Sequence, residues 1–108
     1  MYSDVEKIIM AKTAIALRLL LSRNKTLSQN ESADIIDSYE KIAINATGDI
    51  RKATVNNAFS GKKRSSMVTI ILIVESMGFT MSDFGEIYND IKDEQILKFQ
   101  QDILKQQS

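Results

Sequence analysis

Apolar residues recur at three- and four-residue intervals along almost the whole chain, and no stretch keeps the two-residue rhythm of a strand. The pattern therefore predicts an all-α protein of five or six helices. Ser3 with Glu6 fits a capping box, and behind it Val5, Ile8, Ile9, Ala11, Ile15, Ala16, Leu19 and Leu20 lie at helical spacing to about Asn24. Leu17 and Leu21 widen the stripe, which implies burial on more than one side. Residues 25–37 are polar and acidic and read mostly as a connection, with a short helical turn over 32–36. That connection is longer than the roughly two to eight residues usual between packed helices.

Ser38 is placed to cap a helix through about Ala46 that buries Tyr39, Ile42, Ala43 and Ala46. Thr47-Gly48-Asp49 supplies a turn, with Gly48 free to take a positive φ. A short helix over about 52–60 follows, closed by Gly61. Ser65 or Ser66 then caps a very apolar segment containing Met67, Ile70, Ile71, Leu72, Ile73, Val74 and Met77, closed by Gly78. Being apolar nearly all round, this segment is expected to be the central core helix. Thr80 and Asp83 form a second capping-box pattern, opening a helix with Met81, Phe84, Ile87, Tyr88 and Ile91 on its inner face. Asp93 caps a last helix carrying Ile96, Leu97, Phe99, Ile103 and Leu104. Proline is absent and there are only four glycines, so little interrupts these helices.

Composition narrows the chemistry. At 108 residues the chain suits one domain. Its 44% hydrophobic and 26% charged content is that of an ordinary soluble globule, and 6% aromatics with no tryptophan leaves the core to Ile, Leu, Val and Met. With no cysteine and no histidine there are no disulfides, thiolates, zinc-finger sites or imidazole bases. No nucleophile–base set is visible, so an enzyme is not expected; carboxylate-only or magnesium chemistry stays open in principle, but no cluster suggests it. No cofactor is indicated. The apolar run Ala14–Leu21 is interrupted by Arg18 and closely flanked by Glu6, Lys7, Lys12 and Arg23, which makes it a buried helix and not a membrane span. Nothing reads as an export signal, so a cytoplasmic setting is expected.

The formal net charge of zero hides an uneven distribution. Residues 51–64 hold Arg51, Lys52, Lys62, Lys63 and Arg64 and no acid, whereas the other 94 residues hold 9 basic and all 14 acidic groups. Within this element Val55, Ala58 and Phe59 form an apolar stripe, and Lys52, Ala53, Asn56 and Asn57 share the opposite face. Asparagine is a mediocre helix former, so two adjacent ones on an exposed face ask for a reason beyond stability. A short amide-bearing helix between cations suits the major groove of DNA.

Residues 38–84, YEKIAINATGDIRKATVNNAFSGKKRSSMVTIILIVESMGFTMSDF from Tyr39 onward, resemble the Cro/CI-type (XRE) helix-turn-helix family of transcriptional regulators. The matching features are Ile42-Ala43, Gly48, Thr54-Val55, Gly61-Lys62, Ser66-Met67-Val68-Thr69-Ile70, Met77-Gly78-Phe79 and Thr80-Met81-Ser82-Asp83-Phe84; residues 17–24 are similar to the family's first helix. The spacing departs from the family pattern. Ala43 lies five residues before Gly48, and Gly48 seven before Val55, one more than usual at each step. The resemblance implies a five-helix lambda-repressor-like DNA-binding domain over 1–92, with its motif at about 38–61 and recognition helix at about 52–60. Residues 93–108 would add a C-terminal helix able to serve dimerisation.

By the same resemblance Lys52, Ala53, Thr54, Asn56 and Asn57 would face base edges, while Ser38, Tyr39, Arg51, Lys62, Lys63 and Arg64 would hold phosphates. The partners implied are double-stranded DNA and a second copy of the chain, meeting through the last helix or the outer stripe of the first. Three or four phosphates per subunit of a dimer give a log–log salt slope of about −5 to −7. The alternative is a helical interaction module of antitoxin-like or adaptor type without DNA readout, favoured by the altered turn spacing and the acidic residues 26–40.

Overall fold

A computed structural model describes residues 2–28, 35–46 and 50–107. Its described residues form six helices and no strand: α1 (Asp4–Ser28), α2 (Tyr39–Asn45), α3 (Lys52–Ser60), α4 (Met67–Ser76), α5 (Met81–Asp90) and α6 (Asp93–Gln107). The protein is all-α, as its periodicity predicts. The turn expected at 47–49 lies outside the described residues, as does most of the one expected over 32–36; Ile35 and Ile36 are not helical.

Local signals set most of the boundaries. Ser3 and Glu6 exchange backbone-to-side-chain bonds at 3.3 and 3.2 Å, the reciprocal capping box that starts α1. Ser38 Oγ accepts from the Lys41 N–H and Ser66 Oγ from the Thr69 N–H, capping α2 and α4. Thr80 and Asp83 complete a second box at α5. Asp93 is not a cap: it is the first helical residue of α6, and the Lys92 N–H ahead of it donates to Gln95 Oε1.

The central helix is α1 and not α4. α1 packs against α3, α5 and α6, whereas α4 touches α2, α3 and α5. The reason lies in side-chain size. Ala11, Ala14 and Ala16 are fully buried in α1 and let neighbouring helices approach closely, with Leu17, Leu20 and Leu21 filling the space between. α4 buries Ile70, Ile73, Val74 and Met77, yet leaves Met67 and Val68 at 66% and 67% exposure. Its apolar circumference is wider than the surface available to cover it.

α1 also runs four residues past the expected stop. Asn24 is buried, and its Nδ2 donates to the carbonyls of Ile36 and Met77 at 2.8 and 2.9 Å. It acts as a tie between α1, the segment before α2 and the end of α4, so the helix continues through it. No single helix among the described residues is long and apolar enough to cross a membrane.

Ile96 and Phe99 of α6 belong to the same core as α1. The inner part of the stripe considered for dimerisation is therefore used within the chain, and only Leu97 and Leu104 remain exposed. On α1, Val5, Ile8 and Ile9 are exposed.

Candidate nucleic-acid interface

α3 is anchored on one side and open on the other. Val55, Ala58 and Phe59 are buried, while Arg51, Lys52, Ala53 and Asn56 are exposed and Thr54 and Asn57 half-buried. The buried side is the one the sequence predicts; of the four residues expected on the open face, Asn57 is the one that is half-buried. Phe59 is fully buried, with the Tyr39 ring 4.6 Å away between centroids, so the aromatic pair joins α2 to α3. α2 is held in turn by α4: Ser76 Oγ donates to the Ile42 carbonyl and Asn45 Nδ2 donates to the Ser76 carbonyl, both at 3.2 Å.

The end of α3 is secured from outside. Gly61 takes φ 71°, and Ser60 Oγ donates to the Asn57 carbonyl while accepting from the Lys62 N–H. Arg18 of α1 then donates from Nε to the Phe59 carbonyl at 2.8 Å, with its guanidinium 4.7 Å above the Phe99 ring. A cation at a helix C-terminus complements the partial negative charge there. Arg18 thus fixes α3 against both α1 and α6. Its signal in the sequence was a lone arginine inside an apolar run, legible as an oddity but not as a partner of α3.

The structure sorts the cations of 51–64 into two groups. Lys52 Nζ lies 2.8 Å from Glu40 Oε1 across the gap between α3 and α2. The Glu40 carboxyl is held below its ordinary value of 4.5, first by the hydrogen bond from Lys52 and then by its charge. Arg64 is turned toward α1, 3.2 Å from Glu6 Oε2 and 5.0 Å from the Tyr2 ring centroid. Arg51, Lys62 and Lys63 are exposed and form no ion pair among the described residues. Arg51 holds the N-cap position of α3 with no side-chain bond to its first turn.

The expected phosphate contacts from α2 fare differently. Ser38 Oγ is occupied by the Lys41 amide, and the half-buried Tyr39 ring is packed on Phe59. Both residues serve first to hold α2 in place, and Glu40 sets a carboxylate beside that helix start. The sequence shows Glu40 only as one of the acidic residues of 26–40; its pairing with Lys52 is not legible there, because the partner lies 12 positions away.

Among the described residues no group of three or more carboxylates could hold a metal ion. The chain matches no known family model, and no curated protein or solved structure is similar enough to it to count as a match.

Proposed function

We propose that this protein is a sequence-specific DNA-binding regulator of helix-turn-helix type, acting in the cytoplasm as a homodimer, with α2 and α3 as the motif in a lambda-repressor-like arrangement. The observation that carries the reading is α3 itself: a nine-residue helix with its apolar side sunk in the core and Lys52, Ala53 and Asn56 turned outward, with the exposed cations Arg51, Lys62 and Lys63 at its two ends. Asn56 can pair with adenine, Ala53 offers a methyl to thymine, and the flanking cations suit phosphates on either side of a groove. Thr54 and Asn57 sit at the edge of the same face. Arg64, drawn to Glu6, and Ser38 and Tyr39, engaged in α2, are secondary contacts in this reading.

The test is binding to a randomised duplex library followed by variants. Asn56→Ala relaxes base choice at one position of the site. Lys63→Ala weakens all duplexes alike and lowers the magnitude of the salt slope by about one per subunit. A chain that binds no duplex at low salt does not have this function.

One observation favours an interaction module instead. Ile44 on α2 is 84% exposed, beside a face that also holds Glu40. An apolar and acidic helix face is ill suited to a phosphate backbone and fits a protein partner better. If α2 is the working surface, Ile44→Asp abolishes capture of that partner while DNA plays no part.

A further inference from the structure

Resting on the DNA reading above, we propose that Glu40 and Lys52 work as one reading unit that selects a G·C base pair, with guanine under Lys52 and cytosine under Glu40. The pair joins the second residue of α2 to the first residue of α3 at 2.8 Å, and both side chains are well exposed at 69% and 61%. An ion pair this open to water contributes little to folding. What it does is set a donor and an acceptor side by side at the end of the helix proposed to enter the groove.

The backbones that carry the two groups are both fixed. α2 is held through the buried Ile42, whose carbonyl accepts from Ser76, and through Tyr39 on Phe59. α3 is held through Phe59 and by Arg18. The hydrogen bond and the charge of Lys52 hold the Glu40 carboxyl below its ordinary value, which favours the charged acceptor.

The major-groove edge of G·C matches this arrangement. Guanine presents two acceptors, N7 and O6, and cytosine presents the N4 amino donor next to them. An ammonium with three donors faces the acceptors, and a carboxylate faces the donor. An A·T pair in the same orientation keeps the N7 acceptor but replaces guanine O6 with the adenine amino donor, and it sets the thymine O4 acceptor against the carboxylate. The ammonium then loses one of its two acceptors, and the contact to the carboxylate repels. A lysine alone would favour guanine on either strand; the neighbouring acid fixes which strand carries it.

The experiment is selection of sites from a randomised duplex library by the full chain, by Glu40→Gln, and by the exchanged variant Glu40→Lys with Lys52→Glu. Thermal unfolding is followed alongside to show that the exposed substitutions leave the fold intact. Glu40→Gln is expected to reduce the preference for G·C at one position by about tenfold, while affinity for the best site changes less. The exchanged variant is expected to move guanine to the other strand at that position. Two results overturn the proposal: an unchanged G·C preference in Glu40→Gln, or equally tighter binding to every duplex, which would make Glu40 a repelling charge and nothing more. Failure of the wild-type chain to select any site removes the DNA reading as well, and so is distinct from failure of the pair alone.

Discussion

α3 and α4 are neighbours of nearly equal length, nine and ten residues, and a glycine of positive φ follows each, Gly61 directly after α3 and Gly78 after the cap residue Met77 of α4. They differ in what faces out and in how they end. α3 turns lysine and asparagine to solvent and depends on other helices for its anchoring. α4 turns methionine and valine outward, and its end has two backbone bonds of its own, from the Gly78 N–H to the Glu75 carbonyl and from the Phe79 N–H to the Val74 carbonyl, the pair of a Schellman motif, beside the donations from Asn24 to the Met77 carbonyl and from Asn45 to the Ser76 carbonyl. Both ends receive side chains from other helices; α4 adds a backbone closure of its own, whereas α3 is closed by side chains, Ser60 in its own last turn and Arg18 from α1.

The most damaging way to break this comparison is to remove the anchor of α3. Phe59→Ala should cost about 3–5 kcal/mol, the usual range for a large buried aromatic, read as a shift in urea midpoint at constant slope. Ile73→Ala in α4, equally buried, should cost about 2–5 kcal/mol by the same measure. The two differ in a second readout. Phe59→Ala also frees Tyr39, so amide exchange should quicken in α2 as well as α3, whereas Ile73→Ala should loosen α4 first. Equal exchange profiles would show that α3 has no anchoring of its own.

The two terminal glycines separate more sharply. A Cβ on Gly61 would lie 2.7 Å from Phe99 Cε1 and 3.3 Å from the Ala14 Cβ, in addition to the strain of φ 71°. A Cβ on Gly78, at φ 89°, would meet nothing within 4 Å. Gly61→Ala should therefore cost about 2–4 kcal/mol, combining backbone strain with crowding, and Gly78→Ala only about 1–2 kcal/mol from strain alone. Thermal unfolding of the two variants side by side decides it; equal losses would mean that Phe99 moves aside freely.

Arg18→Met sharpens the point about external closure. It removes the bond to the Phe59 carbonyl and keeps most of the packing on Phe99. Because Arg18 is exposed and its bond to Phe59 only part-buried, the loss should be about 1 kcal/mol, below the usual range for a bond from a charged group. Faster exchange confined to the last turn of α3 is the expected signature. Loss spread evenly over the molecule would assign Arg18 to general packing.

Much of this architecture is legible in the sequence because it is local. Ser38, Ser66, Thr80 and Asp83 act within three residues of themselves, and Gly61 and Gly78 mark stops by their own backbone freedom, so the limits of α2, α3 and α5 follow from short patterns. The outward face of α3 is legible for the same reason, since one turn of apolar and polar positions determines it. What is not legible depends on distance. Asn24 looks like a helix end until Ile36 and Met77 bring their carbonyls to it. Lys52 and Arg64 look like two members of one cationic patch until Glu40 and Glu6 arrive from other helices. Hydropathy ranks α4 first because it counts apolar residues, whereas centrality depends on small residues that admit neighbours, as Ala11, Ala14 and Ala16 do in α1.

The smallest expected effect tests that last distinction. Met67 opens α4 and keeps 66% of its surface in water, so folding removes little of it from solvent. At about 25 cal/mol per Å² of apolar surface removed, its contribution to burial is only a fraction of a buried methionine's. Met67→Gln keeps the side-chain length and the helix propensity, and it leaves the Ser66 cap untouched. Its unfolding midpoint should fall within about 0.5 kcal/mol of the parent, as for other exposed substitutions, while Met77→Gln at the other end of the same apolar run should be clearly destabilised. A large loss at Met67 would mean that α4 is covered there by something the chain's own core does not supply, and the contrast between the two helices would need to be drawn differently.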